Sequence, residues 1–131
     1  MEREPYFLTR EQIDAIHQDQ IEAWGGLHRL RSEHALESAI AQPQNVYFYG
    51  GGDLYEIAAA YAFHIAESQA YLDGNKRTGV QAPVDFLEVN GIDTRPLPEL
   101  ATYEAMIRVA THKLDRSGLA AFFRQALKPK I

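Results

Sequence analysis

The chain has 131 residues, 46% of them hydrophobic, and a formal net charge of −5. That is the size and composition of one ordinary globular domain with a real core, and an acidic balance without a basic tail excludes broad electrostatic binding to nucleic acid or to an anionic membrane. The absence of cysteine excludes disulfides and cysteine-zinc sites and fits a reducing, cytoplasmic compartment, while neither an apolar signal region nor a bilayer-length apolar run is found.

Thr9-Arg10-Glu11-Gln12 has the form of a capping box, and Ile13, Ile16, Gln20 and Trp24 follow at helical spacing until Gly25-Gly26 ends the run. Ser32 caps a second, shorter helix carrying Leu36, Ala39 and Ile40. It is expected to end before Pro43, because proline disfavours helical geometry in the residue ahead of it. Residues Gln42 to Gly52 break the pattern. Val46-Tyr47-Phe48-Tyr49 is β-prone and Gly50-Gly51-Gly52 is permissive of any backbone shape, so a flap or short hairpin is expected there.

Asp53 with Glu56 starts a third helix, running to about Ser68, with Leu54, Ile57, Ala58, Tyr61 and Ile65 on one stripe. Asn75 is expected to cap a fourth, bearing Val80, Val84 and Leu87, kinked at Pro83 and terminated by Gly91 after Asn90. Pro98 suits the first turn of a fifth helix with Leu100, Tyr103, Ile107 and Ala110 on one face, and Leu119, Phe122, Phe123 and Leu127 mark a sixth. No repeat or low-complexity segment interrupts this. The expectation is a single all-α domain over residues 1–131, of about six helices with one flap.

Chemistry concentrates in Tyr71-Leu72-Asp73-Gly74-Asn75-Lys76-Arg77-Thr78, between the third and fourth helices. A turn leading into a helix amino terminus offers unpaired N–H groups and the positive end of the helix dipole, and Lys76 and Arg77 add full charge. Together they would hold a phosphate. Asp73 supplies an anionic oxygen, the ligand preferred by magnesium, which keeps waters and substrate phosphates as its other ligands. Taken alone, the same residues also suit an exposed surface turn.

The larger pattern decides between these readings. From Ala58 through Asn90 the chain resembles the Fic/Doc family, most closely its death-on-curing toxin branch, whose motif runs His-Pro-Phe-x-Asp-Gly/Ala-Asn-Lys-Arg-Thr. Leu72-Asp73-Gly74-Asn75-Lys76-Arg77-Thr78 matches it residue for residue. Gly25-Gly26-Leu27, Leu36 to Gln44 and Phe86 to Gly91 extend the resemblance over most of the chain. It implies Asp73 on magnesium, the Gly74-Asn75 turn around the phosphates of ATP, and Lys76 and Arg77 on the phosphate oxygens. Lys76 after Asn75, where adenylyl-transferring members have glycine, is similar to the branch associated with phosphorylating a protein hydroxyl. The branch also implies a cytosolic protein substrate, with the translation machinery as leading target, and a small antitoxin whose disordered tail folds onto the toxin.

One departure lies just ahead of the match. Where the family has His-Pro-Phe, this chain has Gln69-Ala70-Tyr71, and a carboxamide cannot act as the general base. His64 lies five helical residues earlier, about 140° around and roughly 7.5 Å along the axis, so it is read as structural. Losing a base costs on the order of a hundredfold to ten-thousandfold, which slows an enzyme without always silencing it. Two functions follow: a toxin transferring a phosphoryl group, in preference to an adenylyl group, from ATP to a Ser or Thr hydroxyl, or a degenerate module that binds nucleotide or antitoxin without efficient turnover.

The remaining candidates carry less. Tyr47, Phe48 and Tyr49 are expected either as an edge to which a target segment adds as a strand, as the resemblance implies, or as a hydrophobic loop over the core. Tyr71 is expected in the core, with a partner for its hydroxyl. His17, His28, His34 and His112 lack zinc-helix spacing and are expected at or near the surface. Gly50-Gly51-Gly52 lacks the ending of a phosphate-binding loop, and no Ser/Thr-x-x-x-Glu-Gly/Asn self-inhibitory spacing occurs.

Overall fold

The computed structural model describes residues 4–127, which form six α-helices: α1 (Arg10–Trp24), α2 (Glu33–Phe48), α3 (Leu54–Ser68), α4 (Asn75–Val89), α5 (Glu99–Ala110) and α6 (Arg116–Ala126). The all-α expectation holds. Among the described residues the one β-type pairing is an isolated antiparallel bridge between Leu30 and Tyr71, and no helix is long and apolar enough to cross a membrane.

Helix α3 is the centre of the molecule, packed by α2, α4, α5 and α6, while α1 lies on α4. Its predicted stripe becomes an almost complete girdle, because Ile57 through Ala62, Ile65 and Ala66 are all buried. The alanines let neighbouring helices come close. A Cβ on Gly79 of α4 would stand 3.0 Å from the Ala62 carbonyl and 3.1 Å from Ala66 Cβ, so glycine is what permits the tight α3–α4 crossing.

The capping boxes at Thr9 and Asp53 form as the sequence indicates, and Gly91 adopts the left-handed φ of +87° that terminates α4. Several local expectations fail. Helix α2 does not stop ahead of Pro43 but continues through it to Phe48. Proline forgoes one hydrogen bond, a cost of about 3 kcal/mol in an isolated helix. Here Pro43 is itself buried, and the turns beyond it pack Val46 and Tyr47 on the core. The expected flap or hairpin is therefore absent. Tyr47 and Phe48 are the last helical residues and Tyr49 is the cap, and Phe7 holds the first two at ring-centroid distances of 6.0 and 5.8 Å.

The face of α5 is rotated by one residue, about 100°. Thr102, Ala105, Met106 and Val109 are buried, while Leu100, Tyr103 and Ile107 are 70%, 57% and 44% exposed. On α1 the buried row is Ile13, Ile16, His17 and Ile21, and Trp24 is exposed. A further departure, at the cap of α4, belongs to the site.

Candidate active site

The motif connects the end of α3 to the start of α4. Gln69, the C-cap of α3, is exposed and takes a left-handed φ of +53°. Beyond it the chain runs extended beside the segment that follows α1. Arg31 and Ser32 N–H donate to the Ala70 carbonyl at 2.7 and 3.0 Å, and Leu72 N–H donates to the Arg29 carbonyl at 2.9 Å. The segment alongside the motif is thus Gly25 to Ser32. Tyr47, Phe48 and Tyr49 sit at the other end of α3, about 20 Å away by helix rise, so they do not border the motif. Gly25-Gly26-Leu27 was the available signal, visible in the resemblance but without an assigned role.

Asp73 is fixed from two sides. Its backbone carbonyl accepts a hydrogen bond from His17 Nε2 at 2.7 Å, and its carboxylate Oδ2 accepts from Leu27 N–H at 2.9 Å. Gly26, at φ +111°, lies under this contact, and a Cβ there would meet Asp73 Cβ at 3.0 Å. The second carboxylate oxygen, Oδ1, has no protein partner among the described residues. Those residues contain no group of three acidic, histidine or cysteine side chains placed to hold a metal. Magnesium asks for one or two carboxylates plus water and phosphate, so Asp73 fits it as the protein ligand.

Gly74, at φ +81°, is the N-cap of α4, which corrects the expectation that Asn75 caps this helix. Asn75 is the first helical residue and is buried. Its carboxamide turns back, accepting from Tyr71 N–H at 3.0 Å and donating to the Tyr71 carbonyl at 2.8 Å. Its side chain is therefore already engaged and Gly74 supplies the unusual φ. Thr78 Oγ1 donates to the Gly74 carbonyl at 2.8 Å and Thr78 N–H makes the first intrahelical bond. The N–H groups of Asn75, Lys76 and Arg77 precede that bond and stand at the positive end of α4. Lys76 and Arg77 are exposed, with the Arg77 guanidinium 5.9 Å from the centre of the Trp24 ring.

Beneath the loop is a polar buttress. Tyr71, 2% exposed, stacks on His17 with ring centres 3.7 Å apart and planes 8° from parallel, and its hydroxyl donates to Asp14 at 2.5 Å. This is the partner its burial requires. Burial first, and then Asp14, raise the Tyr71 hydroxyl well above the ordinary tyrosine range. Asp14 also takes Arg10 at 2.9 Å, and Arg10 reaches Glu33 at the start of α2. His17 is fully buried, contrary to the expectation of a surface or partly buried residue, and burial lowers its pKa. Its Nδ1 lies 2.8 Å from Nδ1 of His28. His64 accepts from Arg116 at 3.1 Å and is pushed down to about 4, by burial first and by the Arg116 charge second.

Residues 7–87 match the sequence profile of the Fic/DOC family. The chain belongs to the Fic/Doc family. Among its relatives, the protein kinase doc of Escherichia phage P1 is 29% identical over 119 residues, which is 90% of this chain and 93% of that one. The toxin Doc of Mycolicibacterium smegmatis is 34% identical over 104 residues, 76% of this chain and 78% of its own length. The matched span contains Gln69 to Thr78 and the Gly25 to Ser32 segment beside it. Helix α5 and α6 lie beyond it.

Proposed function

We propose that the protein is the toxin of a toxin–antitoxin pair, moving the terminal phosphate of ATP onto a Ser or Thr hydroxyl of a cytosolic protein. The observation that carries this reading is the Asp73–Arg77 turn. An outward carboxylate oxygen, three unbonded N–H groups and two cations converge at one helix start, which is the equipment phosphoryl transfer uses. The names borne by the phage and mycobacterial relatives, a protein kinase and a toxin, favour phosphoryl over adenylyl transfer.

In this reading the γ-phosphate is cradled by the α4 amino terminus, and Lys76 and Arg77 neutralise the charge that develops on it. Asp73 would hold magnesium, which when bound would supply further positive charge against the phosphates. Gly26 and His17 keep Asp73 in place. The target is received by the extended segment. Arg29 and Arg31 face residues 70 and 72, so the N–H and C=O groups of His28 and Leu30 point the other way, giving an edge to which a target strand can add. The antitoxin is expected to be a separate small protein with a disordered tail, and the exposed α5 face with Leu100, Tyr103 and Ile107 is apolar enough to seat an amphipathic segment.

A second reading is favoured by Gln69. If nothing replaces the missing base, the protein binds nucleotide or antitoxin with little turnover. Labelled ATP and a cell lysate, with wild type, Gln69→His and Asp73→Ala compared, separate the two. Transfer by wild type that disappears in Asp73→Ala supports the enzyme. Labelling by Gln69→His alone makes the wild type a binding module, and labelling that survives Asp73→Ala overturns the metal assignment.

A further inference from the structure

We propose that His28 supplies the proton acceptor that the motif lacks at Gln69; this rests on the phosphotransfer reading. His28 stands on the segment that borders the motif, between Leu27, whose N–H holds the Asp73 carboxylate, and Arg29, whose carbonyl holds Leu72. The Leu30–Tyr71 antiparallel bridge and the Leu27 N–H bond to the Asp73 carboxylate hold the stretch that carries His28 alongside Leu72 and Asp73. His28 is exposed on the target-facing segment, unlike His64, which is held by Arg116 from α6.

The hydrogen bonds also select which ring nitrogen is basic. The Asp73 carbonyl can only accept, so His17 Nε2 carries a hydrogen. Two N–H groups cannot face each other across the 2.8 Å between His17 Nδ1 and His28 Nδ1. With its hydrogen on Nε2 for the Asp73 carbonyl, the neutral His17 ring presents Nδ1 as the bare acceptor. His28 Nδ1 therefore donates, and neutral His28 carries its lone pair on Nε2, which has no partner among the described residues. A buried histidine, anchored to the Asp73 backbone, thus orients a second histidine in one tautomer, as hydrogen-bond partners do at histidine bases generally.

The step balances without a further reactant. The hydroxyl oxygen of the target bonds to the γ-phosphorus of the nucleoside triphosphate while the bond from that phosphorus to the β,γ-bridging oxygen breaks. The electron pair leaves with the nucleoside diphosphate. The hydroxyl proton passes to His28 Nε2 and is later released to water.

The test is a double-mutant cycle of phosphate transfer from γ-labelled ATP to lysate protein, using wild type, His28→Asn, Gln69→His and the double variant. Asparagine keeps a donor for His17 Nδ1 but cannot take a proton, and thermal melting confirms that each variant folds. His28→Asn is expected to lower wild-type labelling by about a hundredfold or more. In the Gln69→His background the same change is expected to cost less than about tenfold, a dependence that a purely structural His28 would not show. Equal losses in both backgrounds, or no loss in wild type, overturn the proposal. Labelling by Gln69→His without labelling by wild type also overturns it while leaving the family chemistry standing. Absence of labelling in both removes the phosphotransfer reading and the proposal with it.

Discussion

Helix α4 begins and ends on an asparagine clamp, and the two clamps differ in what surrounds them. At its start Asn75 binds both the N–H and the C=O of Tyr71, at 3.0 and 2.8 Å. At its end Asn90 binds the N–H and C=O of Tyr6 in the same way, at 2.8 and 3.0 Å, and also donates to the Phe86 carbonyl at 2.8 Å. Asn75 is 8% exposed and Tyr71 2%, whereas Tyr6 is 58% exposed. Water can replace the bonds of Asn90 and cannot replace those of Asn75. The same carboxamide geometry is thus a fastening for the amino-terminal segment at one end and a fixed element of the motif loop at the other.

Breaking the buried clamp should have the largest effect. Asn75→Ala leaves a Tyr71 N–H and C=O without partners and is expected to lower stability by about 2–4 kcal/mol in denaturant unfolding and to abolish ATP binding measured by calorimetry. Tyr71→Phe keeps the stack on His17 but strands the Asp14 contact; about 1–2 kcal/mol is expected, with a loosened loop reading out as weaker nucleotide affinity. At the open end, Asn90→Ala should cost only about 0.5–1.5 kcal/mol and leave ATP affinity unchanged. Should Asn90→Ala weaken ATP binding as much as Asn75→Ala, the distinction between the ends fails.

The last effect is confined to acid pH and should be blind to both clamps. His64 has a folded pKa of about 4 against an ordinary value near 6.5, so the unfolded chain binds the extra proton. Stability from this group is fully present above about 6.5 and declines as pH falls toward 4. His64→Gln is expected to flatten the stability–pH curve in that window alone, and an unchanged slope would remove His64 as its source.

Most of the architecture was legible because it depends on local signals. Capping boxes at Thr9 and Asp53, the glycine after Asn90 and helical spacing gave six helices, and the Asp73–Thr78 string gave the stretch that matches the family. What was hidden depends on three-dimensional context. Pro43 lies inside α2 because burial of the following turn outweighs one lost hydrogen bond. Tyr47 to Tyr49 are β-prone in isolation but helical beside Phe7. On α5 hydrophobicity pointed to Leu100, Tyr103 and Ile107, whereas the buried face carries Ala105 and Val109. At the site, no spacing rule connects His17 with Asp73 across 56 positions or lays Gly25 to Ser32 along the motif.

The left-handed backbone of Gln69 has one more consequence. A non-glycine residue at φ +53° tolerates few side chains well, and histidine is among those enriched there. The position at the carboxyl end of α3 also favours a cationic ring. Glutamine and histidine codons differ by a single nucleotide. One point mutation therefore places the family's histidine at position 69 with a backbone that does not oppose it, while Asp73 to Thr78 are left intact.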